Sequence, residues 1–330
     1  MSRTIRPLLL RIGRAVEALL ERIGQRRDAP PVLDAYTGYG SPEGLVLRGR
    51  VLTHLRRGTP EPGASRWTNV RQMVSLFITD EVADVPVEAA GQMATSDAEG
   101  YIHLTVPRQA SPGWASIPVR IAQTSEVVPF PVRVPDPAAD FLVISDIDDT
   151  VIETGAHSLP RNLWTTFTGS ALTRHVHGDA QSLLQALSKD GRNPMFYVSS
   201  SPWNLHHFLD ALFRRHDVPL GAMFLRDLGL TDDGIGKSHR NHKGAAIDKI
   251  LAANPHLPAY LLGDSGQKDA TVYRDAIARH PGRILGVALR EPAPGVGADD
   301  ARTIQDIEAA GVPCFHGPSF DGAQHHWGLQ

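Results

Sequence analysis

The feature that most limits what this chain can fold into is an apolar run that ends abruptly in acid. Phe141-Leu142-Val143-Ile144-Ser145 leads straight into Asp146-Ile147-Asp148-Asp149-Thr150. A short uncharged run of this kind reads as a strand buried on both faces, and such strands belong to parallel sheets covered by helices. The rest of the chain agrees, because β-prone and helical stretches alternate from residue 140 onward. Further strands are predicted at Met195–Ser199, Ala222–Leu225, Ala259–Leu262 and Ile284–Leu289. Helices are predicted at Gly178–Lys189, Pro202–His216, Lys243–Asn254 and Lys268–His280, with another near Asp300–Ala310. The expected fold class is therefore α/β, a doubly wound parallel sheet. Ligands of such sheets bind beyond the carboxyl ends of the strands, so the residues just after each apolar run are the candidates for chemistry.

Carboxylates crowded at a buried strand end are costly to ionise unless a cation neutralises them. A hard divalent ion, usually Mg²⁺, suits such an all-oxygen environment. A calcium site, a solvated turn or helix-capping Asp residues would leave the same local pattern. After the second strand, Ser199 sits at the tip beside amides that open a helix, where a hydroxyl can bond a phosphoryl oxygen. Ser201, just before Pro202, reads instead as an N-cap with proline at the first helical position. Lys243 follows Ser238-His239-Arg240-Asn241-His242 at a helix start and can offset phosphoryl charge. The last strand ends in Gly263-Asp264-Ser265-Gly266-Gln267-Lys268-Asp269, with a second acid five residues after the first. Its glycines permit close approach of backbone to ligand.

Taken in order, Asp146-x-Asp148-x-Thr150, Ser199, Lys243 and Gly263-Asp264-x-x-x-x-Asp269 resemble the four motifs of the haloacid-dehalogenase superfamily. The resemblance implies that Asp146 is a nucleophile forming an aspartyl-phosphate, and that Asp148 protonates the leaving alcohol and then activates water. It implies that Ser199 and Lys243 hold phosphoryl oxygens. Asp146, the main-chain carbonyl of Asp148 and Asp264 would ligate Mg²⁺, with Thr150 and Asp269 auxiliary and Asp269 just outside the ligand set. The wording around the motifs goes further. Asp146–Ile152, Tyr197–Leu205, Phe224-Leu225-Arg226-Asp227, His242-Lys243 and Gly263–Asp269 resemble the catalytic domain of the actin-patch-associated phosphatidate phosphatases, over about residues 140–290. Tyr36-Thr37-Gly38-Tyr39-Gly40-Ser41-Pro42 with Gly44–Val51 is similar to the β-rich region preceding that domain. The implied reaction is Mg²⁺-dependent removal of phosphate from phosphatidate or a related lipid phosphate, giving diacylglycerol. A small-molecule phosphomonoesterase of the same mechanism and a non-catalytic membrane-associated adaptor are the competing readings. The acid retained at Asp148 speaks for an enzyme.

Upstream, Ile5, Leu8, Leu9, Ile12, Val16, Leu19, Leu20 and Ile23 recur at spacings of three and four, predicting a helix over residues 4–25. Residues 1–27 carry seven Arg against two Glu, so this helix offers a basic surface to anionic lipid. Docking of the apolar face on the protein's own body or on a second copy is the competing reading and the favoured one, because the segment lacks the Trp or Phe common on interfacial helices. Expected domains are residues 1–30, the amphipathic helix and linker; 31–138, a β-rich accessory domain whose partner the sequence does not name; and 139–330, the phosphatase domain. Accessory strands are predicted at Gly44–Leu55, Val85–Ala94, Gly100–Val106, Ile117–Ala122 and Val127–Val134. A helical run at Trp67–Phe77 interrupts them, and a turn at Thr95–Gly100 separates two paired strands, suggesting a small β-sandwich. The net charge of −3 gives no reason to expect nucleic acid. Without a membrane-length apolar run or signal peptide, the expected location is cytoplasmic, with peripheral contact at the inner membrane face. Cys314 is the single cysteine, which excludes an intrachain disulfide and an all-cysteine zinc site. The pairs His175/His177, His239/His242 and His325/His326 lack partners for a zinc site and read as loop-borne and exposed. The interval after Thr150 has room for a small cap only, in which Trp164 and Phe167 are lid or core residues.

Overall fold

The computed structural model describes residues 30–55, 81–153, 175–226, 238–266, 268–291, 295 and 297–329. The helices predicted over 4–25 and Trp67–Phe77, together with Trp164 and Phe167, lie outside the described residues.

The first part of the chain forms one seven-stranded sheet. Its strands are β1 (Val32–Ser41), β2 (Gly44–Leu52), β3 (Pro86–Ala89), β4 (Gln92–Thr95), β5 (Tyr101–Val106), β6 (Gly113–Ile121) and β7 (Val128–Val134), in the order β4-β3-β6-β7-β1-β2-β5. Every pair is antiparallel except β1 with β7. This corrects the sandwich expectation. Rather than pairing as neighbours across the Thr95–Gly100 turn, β4 and β5 stand at opposite ends of the strand order, and their approach curls the sheet nearly into a barrel. Twist makes such closure natural once the inner face carries a continuous apolar core, here Leu33, Leu45, Leu47, Ile102, Leu104, Phe130 and Val132.

The predicted strand Val85–Ala94 is in fact the hairpin β3–β4. Ala90 and Gly91 both take positive φ, 48° and 76°, as a two-residue hairpin turn requires. β1 is a strand the sequence pattern did not announce, since Thr37-Gly38-Tyr39-Gly40-Ser41-Pro42 looks like a turn. Gly38 serves another purpose there: a Cβ at this position would stand 2.4 Å from the Val46 carbonyl oxygen of the paired strand.

Along β5 burial nearly alternates, whereas β1 and β2 are buried at almost every position. Both faces of β1 and β2 are covered. Leu33, Leu45 and Leu47 enter the inner core, while Tyr36, Tyr39 and Arg48 pack against the second sheet.

That second sheet has six strands: β8 (Leu142–Ser145), β9 (Met195–Pro202), β10 (Ala222–Arg226), β11 (Ala259–Asp264), β12 (Ile284–Arg290) and β13 (Cys314–Gly317). Their order is β10-β9-β8-β11-β12-β13, and all pairs are parallel. The intervening helices are α1 (Gly178–Ser188), α2 (His206–Arg215), α3 (Ser238–Ala253), α4 (Asp269–Arg279), α5 (Ala298–Ala309) and the single turn α6 (Ala323–His326). Alternate residues of β8 point to opposite sides. Val143 joins the core under α1 and α2, while Leu142 and Ile144 join the one under α3, α4 and α5. Strand order reverses between β8 and β11, and such a reversal opens a crevice at the carboxyl ends. Among the described residues no helix is long and apolar enough to cross a membrane.

The two sheets meet through an aromatic and cationic cluster. Tyr36 stacks on Trp203 with ring centres 4.8 Å apart and planes at 15°. The buried Arg48 guanidinium carbon lies 4.6 Å from the Phe224 ring centre, 5.2 Å from Trp203 and 5.1 Å from Tyr39. One of its amino groups donates to the Thr37 carbonyl at 2.6 Å. Burial lowers the Arg48 pKa to about 10, so it stays cationic at neutral pH. Each desolvated cation–ring contact is worth up to about 2 kcal/mol.

Candidate active site

β8 delivers Asp146 to the crevice, and its amide donates to the Leu262 carbonyl of β11 at 2.8 Å. The chain then folds back tightly. The Val151 and Ile152 amides both donate to the Ile147 carbonyl, at 2.9 and 3.0 Å, and Asp149 takes a left-handed φ of 58°. This turn draws Asp146, Asp148, Asp149 and Thr150 inside, all less than a tenth exposed. Thr150 Oγ1 donates to Asp146 Oδ2 at 3.3 Å.

The motif residues separate into two groups around Asp146. In the first, Asp146, Asp264 at the end of β11 and Asp269 at the start of α4 present carboxylate oxygens all within 4.8 Å of one another. Lys243, on the first turns of α3, reaches into this group. Its Nζ lies 2.7 Å from Asp146 Oδ1 and 2.5 Å from Asp269 Oδ1. Asp269, expected just outside the ligand set, thus stands level with Asp146 and Asp264. The Asp264 amide donates to its Oδ2 at 3.3 Å.

In the second group, Ser199 Oγ and Ser201 Oγ donate to the same oxygen of Asp148, Oδ2, at 2.7 and 2.9 Å. Ser199 Oγ also accepts from the Ser201 amide at 2.8 Å. The N-cap reading of Ser201 is therefore corrected. Ser201 belongs to β9, which runs through Pro202; a 3₁₀ turn at Trp203–Leu205 follows, and α2 begins only at His206. Residues two apart on a strand share a face, and that periodicity is the signal that pairs Ser201 with Ser199. Ser199, expected on phosphate, here holds Asp148.

Electrostatics divide along the same line. Burial, followed by the nearby Asp269 and Asp146 charges, raises the Asp264 carboxyl to about 9. Burial raises Asp146 as well, with Lys243 opposing and Asp269 and Asp148 adding to the rise. For Lys243 burial acts downward, but Asp146 and Asp269 outweigh it and the ammonium is held on. Two like charges 4 Å apart cost about 4 kcal/mol at an effective dielectric of about 20. One ammonium cannot offset three carboxylates, and both Asp264 side-chain oxygens are buried without a hydrogen-bond partner. These orphaned oxygens and the all-carboxylate donor set fit a hard divalent cation.

Gly263 makes room for this arrangement. A Cβ there would lie 2.6 Å from Asp269 Oδ2 and 2.7 Å from the Tyr273 hydroxyl, which donates to the Leu262 carbonyl. Gly263→Ala is expected to displace Asp269 and weaken divalent-cation binding, measured by calorimetric titration, by about 10- to 100-fold. Unchanged affinity would show that Asp269 takes no part in holding the ion.

The paired histidines take other places. His242 is half-buried on α3, not loop-borne, and burial lowers its pKa. His325 and His326 lie on α6. Among the described residues the side-chain group suited to a metal is the three-aspartate one.

Comparison with known proteins finds likenesses over part of the chain. Residues 141–291 match the family described as phosphatidate phosphatase APP1, catalytic domain. The chain is 26% identical to the uncharacterized protein C29B5.04c of Schizosaccharomyces pombe over 66% of this chain and 37% of that protein. It is also 26% identical to phosphatidate phosphatase APP1 of Saccharomyces cerevisiae, over 77% of this chain and 42% of that protein. The chain thus spans well under half the length of these curated relatives. A chain in the structure of a Pnkp1/Rnl/Hen1 complex aligns with a TM-score of 0.30 at 15% identity, over 49% of this chain and 53% of that one, too loosely to carry an argument.

Proposed function

Taking the likeness of residues 141–291 to the APP1 catalytic domain as its premise, we propose that this protein is a Mg²⁺-dependent phosphatase of the haloacid-dehalogenase type. It works through an aspartyl-phosphate on Asp146 and acts on phosphatidate or a related lipid phosphate. The observation that carries this reading is the division of the site into a three-carboxylate cluster with Lys243 on one side of Asp146 and a hydroxyl-bound Asp148 on the other.

Asp146, Asp264 and Asp269, with the main-chain carbonyl of Asp148, would hold the ion. When bound, it neutralises negative charge on the phosphoryl oxygens and keeps the Asp146 carboxylate ionised. Asp146 attacks phosphorus, the bond from phosphorus to the alcohol oxygen breaks, and Asp148 gives its proton to that oxygen. A water oxygen then attacks the aspartyl-phosphate and Asp148 takes the water's proton. Inorganic phosphate leaves and the Asp146 carboxylate is restored. Lys243 sits where it can hold a phosphoryl oxygen next to the attacked atom. Ser199 would join it by turning its hydroxyl from Asp148 to the phosphoryl group, leaving Ser201 to hold Asp148. A lipid substrate requires bilayer contact at the inner membrane face, which the basic pattern of residues 1–27 would supply.

Phosphate release from phosphatidate-containing vesicles and from a soluble phosphomonoester, each with Mg²⁺ or with chelator, tests the reading. Release from vesicles that stops with chelator is expected. Release from the soluble ester alone would assign a small-molecule substrate to the same chemistry, and release from neither would overturn the reading.

A further inference from the structure

Ser199 and Ser201 hold Asp148 from a strand tip that pairs with β10 as far as Pro202 and then leads into a turn packed against the other sheet. Two residues after Ser201, the Trp203 ring packs against the Tyr36 ring at 4.8 Å and the His206 ring at 6.0 Å, with planes at 15° and 26°, and Tyr36 and His206 are themselves 4.7 Å apart. Arg48 sits beside it, 3% exposed, with its Nε buried and without a hydrogen-bond partner. Lacking a carboxylate partner among the described ion pairs, its charge faces the rings of Trp203, Phe224 and Tyr39. Two more contacts fasten the start of α2 to β1. His207 Nε2 lies 2.6 Å from Asp34 Oδ1, and the Thr37 amide donates to His206 Nε2 at 3.5 Å.

A 3₁₀ turn is a weak support, because its hydrogen bonds are poorly aligned. Here its bulkiest residue is fixed by aromatic and cationic contacts, which are directional. Tyr36 and Arg48 lie outside the segment 141–291 that matches the catalytic family. They nevertheless reach the proton-transfer carboxylate through Trp203, which follows Ser201 by two residues in the chain, and through the two serine hydroxyls on Asp148.

We propose that Tyr36 of β1 and Arg48 of β2 are positioning residues for catalysis, fixing Trp203 and thereby the Ser199–Ser201 hydroxyls that orient Asp148. The inference rests on Asp148 being the proton donor and acceptor of the proposed reaction. The first sheet is then part of the catalytic apparatus and not only a neighbouring module. The path ends on the Asp148 side chain and not on the main-chain carbonyl that would meet the ion, and the contacts that hold Lys243 between Asp146 and Asp269 are separate from it, so loosening it lowers turnover far more than it loosens the ion.

The test uses the full chain as Tyr36→Ala, Arg48→Met and the ring-preserving Tyr36→Phe. Turnover of para-nitrophenyl phosphate, the Mg²⁺ concentration for half-activation, the melting temperature, and amide hydrogen exchange across residues 199–205 are measured. Tyr36→Ala and Arg48→Met are expected to lower kcat by about tenfold or more, since small misplacements of catalytic groups cost up to about 100-fold. KM and half-activating Mg²⁺ stay within about twofold, exchange rises locally at 199–205, and Tyr36→Phe behaves as the parent. Unchanged kcat alongside faster exchange would overturn the inference, as would a fall in kcat matched by lost Mg²⁺ affinity and a general loss of protection. Equal damage from Tyr36→Phe and Tyr36→Ala would overturn it too. If the parent protein releases no phosphate with any ester, the phosphatase reading fails separately, and exchange decides: a rise confined to 199–205 supports the positioning role, and no rise overturns it.

Discussion

Asp146→Asn is expected to lower phosphate release by about 10⁴-fold or more, because removal of the proposed covalent nucleophile leaves only the binding contribution of the site. The fold should survive. Lys243 loses one partner but keeps Asp269 at 2.5 Å. The neutral amide also relieves a carboxyl that burial holds above its usual range. Without divalent cation the variant should therefore melt no lower than the parent, while its stabilisation by Mg²⁺ shrinks with the loss of one of three carboxylates. Acid-quenched protein analysed by mass should carry phosphate on the parent and none on the variant. Retention of activity within about tenfold would remove Asp146 from the nucleophile's role.

Where local chemistry and long-range packing agree, the residues announced the structure. From the run Phe141–Ser145, Leu142–Ser145 became the buried strand β8 because its side chains are apolar up to Ser145, whose hydroxyl bonds the Asp146 carbonyl, and the acids after it emerged in the crevice where strand order reverses. Asp264 met Asp146 because it too ends a buried strand, while Lys243 reaches them from within α3, which begins at Ser238 and not at the lysine as the local pattern suggested. Asp269 was harder to place. A gap of five residues does not tell that α4 starts by turning its first side chain back over Gly263, and only the missing Cβ at Gly263 leaves space for it. Ser201 was misplaced because Ser-Pro is a strong helix-start signal in isolation, and pairing with β10 as far as Pro202 overrode it. β1 was hidden for the opposite reason. Its glycines look like turn residues, but they serve close strand approach and the packing of Tyr36 and Tyr39 on the second sheet. Local pattern carries the parallel sheet; the curled first sheet depends on contacts between strands far apart in sequence, such as β1 with β7.

Lys243→Met separates the electrostatic role of this lysine from its bulk. Methionine replaces much of the aliphatic stem but leaves Asp146, Asp264 and Asp269 without an ammonium. Breaking a buried pair by removing one partner costs about 3 to 5 kcal/mol. The cost depends on pH with a definite sign. Asp264 titrates near 9 in the fold against 3.8 for an ordinary carboxyl, so the unfolded chain gives up that proton first. A raised folded value favours the fold fully below about pH 4, and the contribution is lost as pH rises toward 9. In the variant Asp146 loses its counter-charge and is pushed further in the same direction. Thermal or urea unfolding in chelator should then show a small deficit near pH 5, where the carboxyls can be protonated, and a large one near pH 9. Mg²⁺ should recover much of the high-pH loss, since the ion supplies the missing positive charge. A deficit equal at both pH values and unrelieved by cation would mean that Lys243 contributes packing rather than charge, and that the three carboxylates are not its electrostatic counterpart.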